Sequence, residues 1–360
     1  MKNEVISPLI VSERIGKWLE SIRSLNYDTA KEYKAELTDV FSKVEFDSRL
    51  ISFYNLVDYK HSLAVEHEIF EDINEPTITD HALQFLYFDY LGQVAFSKKD
   101  YVKAIEYYAQ AEKYISSDCE LEQAEFYKRL GTSYYRIDQN AFALSFIKKA
   151  NAIFSKKSEY KELELNCLVL LGGIYDDLSD YTRAQRTYQF ALKQSDAYPL
   201  TKTLILRALG TSKFKEKDFE SAYEHFKQSD KMPNSDPLIA AKTKIDLIHI
   251  MFILEKQNEF SYDHFDEANR FVIDKNDIEY KCRAAIVRAF YITGQEKDVA
   301  RYLDELENND LFVEATEISR EISHFYRLKQ DLGQALYFID KANFYDLQTN
   351  LLLIDEEEIS

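Results

Sequence analysis

The stretch LGGIYDDLSDYTRAQRTYQFA, residues 171–191, decides the fold. It opens on Leu171-Gly172, then places an aromatic at Tyr181, an alanine at Ala184, a large apolar residue at Tyr188 and a second alanine at Ala191. The same frame returns from Leu91-Gly92, Leu130-Gly131 and Leu209-Gly210, at successive offsets of 39, 41 and 38 residues. The first alanine recurs as Ala104, Ala143 and Ala222, the large residue as Tyr108, Ile147 and Phe226, and the last small residue as Ala111, Ala150 and Ser229. A late copy reads Ile322, Leu332, Ala335, Ile339 and Ala342.

Self-similarity near this period marks helical pairs that stack into an array. Small residues let the two antiparallel helices of a pair approach, and the large ones fill the space between neighbours. The frame resembles the tetratricopeptide repeat with longer helices or loops. Between residues 240 and 310 it degenerates, although Phe265, Ala268 and KCRAAIVRAFYITG (281–294) still suggest two pairs. Only 8 glycines and 5 prolines occur in 360 residues, too few for the frequent turns of a sheet protein. The expectation is all-α: a three-helix bundle, then a right-handed superhelix of about seven repeat-like helical pairs over 82–348.

Residues 1–72 hold the expected bundle. One helix is read over SERIGKWLESIRSL with Ser12 as cap and Ile15, Trp18, Leu19 and Ile22 on one face. A second covers DTAKEYKAELTDVFSKV with Asp28 or Thr29 as cap, and a third covers SRLISFYNLVDYKHSLAVEHEIF. The polar run around Pro76 predicts a linker at 73–81. Residues 349–360 read as an acidic tail.

The formal net charge of −18 disfavours a phosphate-backbone partner, so no nucleic acid is expected. No apolar run reaches membrane-spanning length. Cys119, Cys167 and Cys282 are far apart and odd in number, which suggests buried thiols in a cytoplasmic protein. The histidines are scattered, so no metal or cofactor is expected. No glycine-rich phosphate loop, nucleophile elbow or helix-turn-helix is readable.

Several stretches carry a closer resemblance: IGKWLESIRSLNYDTAKEYKAEL (15–37), VEFDSRLISFYNLVDYKHSL (44–63), LEQAEFYKRLGTSYY (121–135) and LVLLGGIYDDLSDYTRAQ (168–185). In order and architecture the chain resembles the Rap family of Bacillus and relatives. The resemblance implies an N-terminal bundle that binds a response regulator and a repeat surface that takes a short Phr-type signalling peptide, which rearranges the bundle and switches the protein off. Some members of that family hasten loss of the regulator's aspartyl phosphate, using a glutamine that orients water. Here Ser48 stands at that position, with Glu45 and Asp47 beside it. A serine is too short to place water with both an acceptor and a donor, and nearby carboxylates repel a phosphoryl group. Inhibition by binding is therefore the expected activity. The alternatives are a phosphatase that uses another residue and a mobile-element scaffold that captures another protein.

The resemblance also implies regulator contacts at Glu45, Asp58, Lys60 and His61, and peptide contacts at Asp177 and Ala208. Asp177 matches an acid that receives a basic peptide residue. Ala208 falls where the family often has an asparagine that pins the peptide backbone.

Overall fold

The computed structural model describes residues 7–70, 73, 80–116, 119–233 and 236–351. Among them every long element is a helix. The bundle comprises α1 (Pro8–Arg23), α2 (Tyr27–Lys43) and α3 (Ser48–His61), the last prolonged by a π turn over Ser62–Glu66. Seven pairs follow among the described residues. They are α4 (His81–Ser97) with α5 (Tyr101–Glu112), α6 (Glu120–Arg136) with α7 (Asn140–Phe154), and α8 (Lys161–Asp177) with α9 (Tyr181–Leu192). Then come α10 (Pro199–Lys215) with α11 (Phe219–Asp230), α12 (Pro237–Ile253) with α13 (Glu259–Asp274), α14 (Ile278–Arg288) with α15 (Val299–Glu307), and α16 (Phe312–Leu328) with α17 (Leu332–Leu351).

The repeat frame is a steric fit. A methyl group added at Gly92 or Gly172 would overlap the ring of Tyr108 or Tyr188 respectively. At Gly131 and Gly210 it would come within 2.9 Å of Ile147 and Phe226. The large residue of the second helix thus sits against the bare backbone of the first. Only glycine leaves room for that approach.

In four of these pairs the tight turn uses a second device. Lys99, Ser179, Lys217 and Gln330 adopt left-handed backbone with φ of 65°, 58°, 64° and 63°. In all four the next residue is an aspartate that caps the second helix: Asp100, Asp180, Asp218 and Asp331 accept from the backbone amides of Lys103, Arg183, Ser221 and Gln334. The cap satisfies amides that have no partner within the helix. That stabilisation offsets the cost of a non-glycine residue in left-handed backbone.

The chain packs as two units, Met1–Cys167 and Leu168–Ser360. Within the first, the apolar core does not break at the boundary expected at residue 72. Trp18, Leu37 and Val57 of the bundle join Phe85, Tyr108 and Phe126 of the first two pairs in one cluster. The expected linker, apart from residues 73, 80 and 81, and the tail beyond 351 lie outside the described residues.

Local details differ from expectation for physical reasons. Helix α1 starts at Pro8 rather than after Ser12, because proline at the first position needs no amide partner. The cap of α2 is Asn26, whose side chain accepts from the Thr29 amide, rather than Asp28 or Thr29. The third helix stops at the π turn, where His67 takes φ of 59°. Cys167 and Cys282 are buried, while Cys119 is only half-buried at the start of α6. In the late copy Ala335 and Ala342 are buried, but Leu332 and Ile339 point outward and Phe338 takes the inner place.

Candidate functional site

The run expected to face a regulator surrounds the start of α3. Glu45, Asp47 and Ser48 are all exposed, and Ser48 is the first helical residue. Asp47 caps the helix, its Oδ1 accepting from the Leu50 amide at 2.8 Å. Phe46, between the acids, turns inward against Phe41, with ring centroids 4.8 Å apart. Phe41 stacks in turn on Tyr54 at 4.1 Å. The aromatic anchor holds the acidic run at the surface with Ser48 beside it.

Asp58 is half-buried and paired with Lys34 at 3.0 Å. Lys60 and His61, expected at a partner surface, lie inside, 5% and 0% exposed. Neither offers its side chain to a partner in this arrangement. The reason is that each has a buried polar mate, without which burial would be costly. The Trp18 indole donates to His61 Nδ1 at 3.0 Å, which makes that nitrogen an acceptor and the ring neutral. Burial pushes the His61 pKa down, and the Lys34 cation adds to the effect.

Lys60 is ion-paired with Asp89 of α4, itself fully buried. Arg129 of α6 grips the same carboxylate through two bonds of 3.0 and 3.1 Å, and the Gln93 side-chain amide donates to it at 2.9 Å. Burial works against the charged form of Asp89, but the Arg129 and Lys60 cations outweigh it and hold the carboxyl below the usual range. Arg23 of α1 pairs with Glu122 and lies 3.6 Å from Glu125 of α6. One buried network therefore ties α1 and α3 of the bundle to α4 and α6 of the first two pairs.

The second unit carries the residues expected to meet a peptide. Asp177 ends α8 and is half-buried. Lys215 of α10 reaches it at 2.6 Å and also reaches Glu317 of α16 at 2.9 Å. Burial opposes charge on Lys215, but Glu317 and Asp177 overcome it and raise its pKa well above normal. The neighbouring Asp176 is buried and accepts from Ser212 at 2.8 Å and Tyr188 at 3.1 Å. Burial raises its pKa to about 6 despite those donors.

Ala208 is half-buried on α10 and has no side-chain donor or acceptor. Its neighbour Arg207 begins a row of polar side chains along the first helices of successive pairs. Arg207 pairs with Asp246 of α12 at 2.8 Å, and Asp246 accepts from the Tyr280 hydroxyl of α14 at 2.9 Å. Arg283 of α14 then grips Glu321 of α16 with bonds of 2.9 and 3.1 Å. His249 sits between the rings of Phe214 and Tyr291, and burial lowers its pKa to about 4.

Sequence reasoning missed Asp89, Arg129, Lys215 and Glu317. A signal existed for Asp89, a lone acid in the apolar run FLYFDYLG (85–92), since such an acid needs a buried cation. Among the described residues no cluster of His, Cys, Asp and Glu could hold a metal ion. None of their helices is long and apolar enough to cross a membrane.

Comparison with known proteins agrees with this geometry. The family model for the N-terminal region of response regulator aspartate phosphatase H matches residues 5–66, which span the bundle through the π turn. The whole phosphatase H of Bacillus subtilis is 24% identical over 94% of this chain and 96% of its own length. A protein of Rhodococcus hoagii named type II methyltransferase M.CeqI is 30% identical over 98% of this chain, which spans 70% of that protein. No strand occurs among the described residues. A solved Rap protein in complex with Competence and Sporulation Factor superposes with a TM-score of 0.82, at 18% identity, over 96% of this chain and 99% of that one. The bundle, the paired-helix frame and the full-length match lead to one conclusion: this chain belongs to the Rap family.

Proposed function

We propose that the protein is a peptide-controlled regulator that binds a response regulator through the start of α3 and inhibits it by occupancy rather than by dephosphorylation. The observation that carries this reading is Ser48, exposed at the first position of α3 between the Asp47 cap and Arg49. Its hydroxyl is too short to hold a water in line with a phosphoryl group docked on the helix end, and Glu45 and Asp47 add repulsion there. The surface remains suited to docking: Val44 and Ile51 are exposed apolar residues flanked by acids and Arg49.

Control follows from the network beneath that surface. Lys60, Asp89 and Arg129 join α3 to the first pairs, so any displacement of those pairs changes the presentation of α3. The peptide site is the polar row on the first helices of the second unit, with Asp177 as its acid.

The test mixes purified protein with phosphorylated candidate regulators and follows both complex formation and phosphate loss. The expected result is a stoichiometric complex with unaccelerated decay, and Ser48→Gln is expected to add decay that the parent lacks. Rapid decay with the parent that survives Ser48→Ala would overturn the occupancy mechanism. No complex with any regulator would overturn the function itself.

A further inference from the structure

In a stacked helical array each pair touches its neighbours, so a bond between pairs that are not adjacent calls for a reason. The second unit makes such a bond. Helices α10 and α16 belong to pairs separated by two others, α12 with α13 and α14 with α15. The polar row described above leads from Arg207 of α10 to Glu321 of α16 by way of α12 and α14. One turn before Glu321, Glu317 meets Lys215 of α10 at 2.9 Å. The row therefore closes on itself. A second relationship agrees: burial lowers the pKa of His324 on α16, and the Lys217 cation from the turn after α10 adds to the effect.

We propose that Lys215 is a brace that holds the groove of the second unit closed between α10 and α16 with no guest bound. Asp177, at 2.6 Å, fixes the lysine on the wall built by α8 and α10, and Glu317 ties it to the wall built by α16. Opening the groove takes a small rotation at each of the three interfaces between α10 and α16, and such rotations add along an array. Each interface resists a small rotation weakly, so one half-buried cation shared by two carboxylates decides between closed and open. Without that cation the same two carboxylates repel across the gap. A guest that enters between α10 and α16 must first break the brace, which makes it an autoinhibitory contact on the groove. The brace belongs to the second unit alone, and its test needs neither peptide nor regulator. It stands or falls apart from the reading above.

The experiment places spin labels at Glu216→Cys and Arg327→Cys, exposed positions near the ends of α10 and α16. The full chain is used with Cys119→Ser, while the buried Cys167 and Cys282 stay in place. Labelled protein is diluted in unlabelled protein, and double electron–electron resonance then reads the distance within single molecules with no ligand added. The parent is expected to show one short, narrow distance. Lys215→Glu sets a third carboxylate beside Asp177 and Glu317, and is expected to lengthen the distance by about 5 Å or more, one helical turn. Glu317→Gln removes the charge on the far wall, and is expected to broaden the distribution toward the same longer distance. Lys215→Glu combined with Glu317→Lys rebuilds the bond with its ends exchanged, and is expected to restore the short distance. An unchanged distance in both single variants overturns the proposal, since packing alone then closes the groove. A charge-exchanged protein that stays open with native helicity overturns it as well. If Lys215→Glu loses helicity, Glu317→Gln decides alone, by lengthening the distance or leaving it as it was.

Discussion

The Lys215 ammonium lies 2.6 Å from the Asp177 carboxylate, so the acid expected to receive a ligand's cation already holds one from the protein itself. Glu317, at 2.9 Å, completes a site with two carboxylates and one resident lysine. A basic peptide residue entering there must share these acids with Lys215 or displace it, and like charges resist sharing. The inner acid is therefore a weaker lure for arginine than its sequence position suggests.

The first prediction concerns selectivity. Fluorescently labelled pentapeptides in two pools, arginine-containing and arginine-free, are expected to bind the parent with little difference. Lys215→Met releases Asp177 and Glu317, and the arginine pool is then expected to gain about tenfold in affinity, as a freed and partly buried pair of acids warrants. Equal preference in parent and variant, read by fluorescence polarisation, would show that no ligand cation reaches Asp177.

A second prediction tests the network that joins the bundle to the first pairs. Asp89→Ala leaves Lys60 a buried cation without its anion, which costs about 3–5 kcal/mol. A large drop in Tm is expected. The double change Lys60→Met with Asp89→Leu removes opposite charges together, and its loss is expected to fall well short of the sum of the two single losses. Additive losses in that cycle would mean that Lys60 and Asp89 act independently.

The repeat frame was legible because its residues answer to backbone geometry. Gly172 and Tyr188 meet in a gap with no room for a side chain at the glycine position, so the pattern survives in the letters. The fate of Lys60 and His61 was not legible, because a lysine and a histidine near a helix end usually face water. Their burial depends on Asp89 and Trp18, 29 and 43 residues away, and only the fold brings these together. Caps were misplaced by a few residues for a related reason. Ser12, Asp28 and Thr29 are all competent caps, and the choice among competent residues is made by where the helix packs. In α17, Ile339 fits the repeat frame by position, yet it remains 36% exposed.

The third prediction sets two glycines against each other. Gly16 and Gly131 both sit within helices, and an alanine gains about 0.5–1 kcal/mol at such a position when there is room. At Gly16 nothing lies within 4 Å of the added methyl, so Gly16→Ala is expected to stabilise the protein by that amount. At Gly131 the methyl would meet Ile147 side-chain carbons at 2.9 Å and the Ile147 backbone nitrogen at 3.1 Å. A rotamer change in Ile147 relieves only the first of these, so α6 and α7 must separate. Overpacking of this kind costs about 1–3 kcal/mol, which exceeds the gain in helix propensity. Gly131→Ala is accordingly expected to lower the denaturant midpoint while Gly16→Ala raises it. Adding Ile147→Val should recover part of the Gly131→Ala loss by shortening the side chain that the methyl strikes. Two glycines with the same sign of effect would remove the steric account of the repeat, because that account assigns the opposite outcomes to the space beside each one.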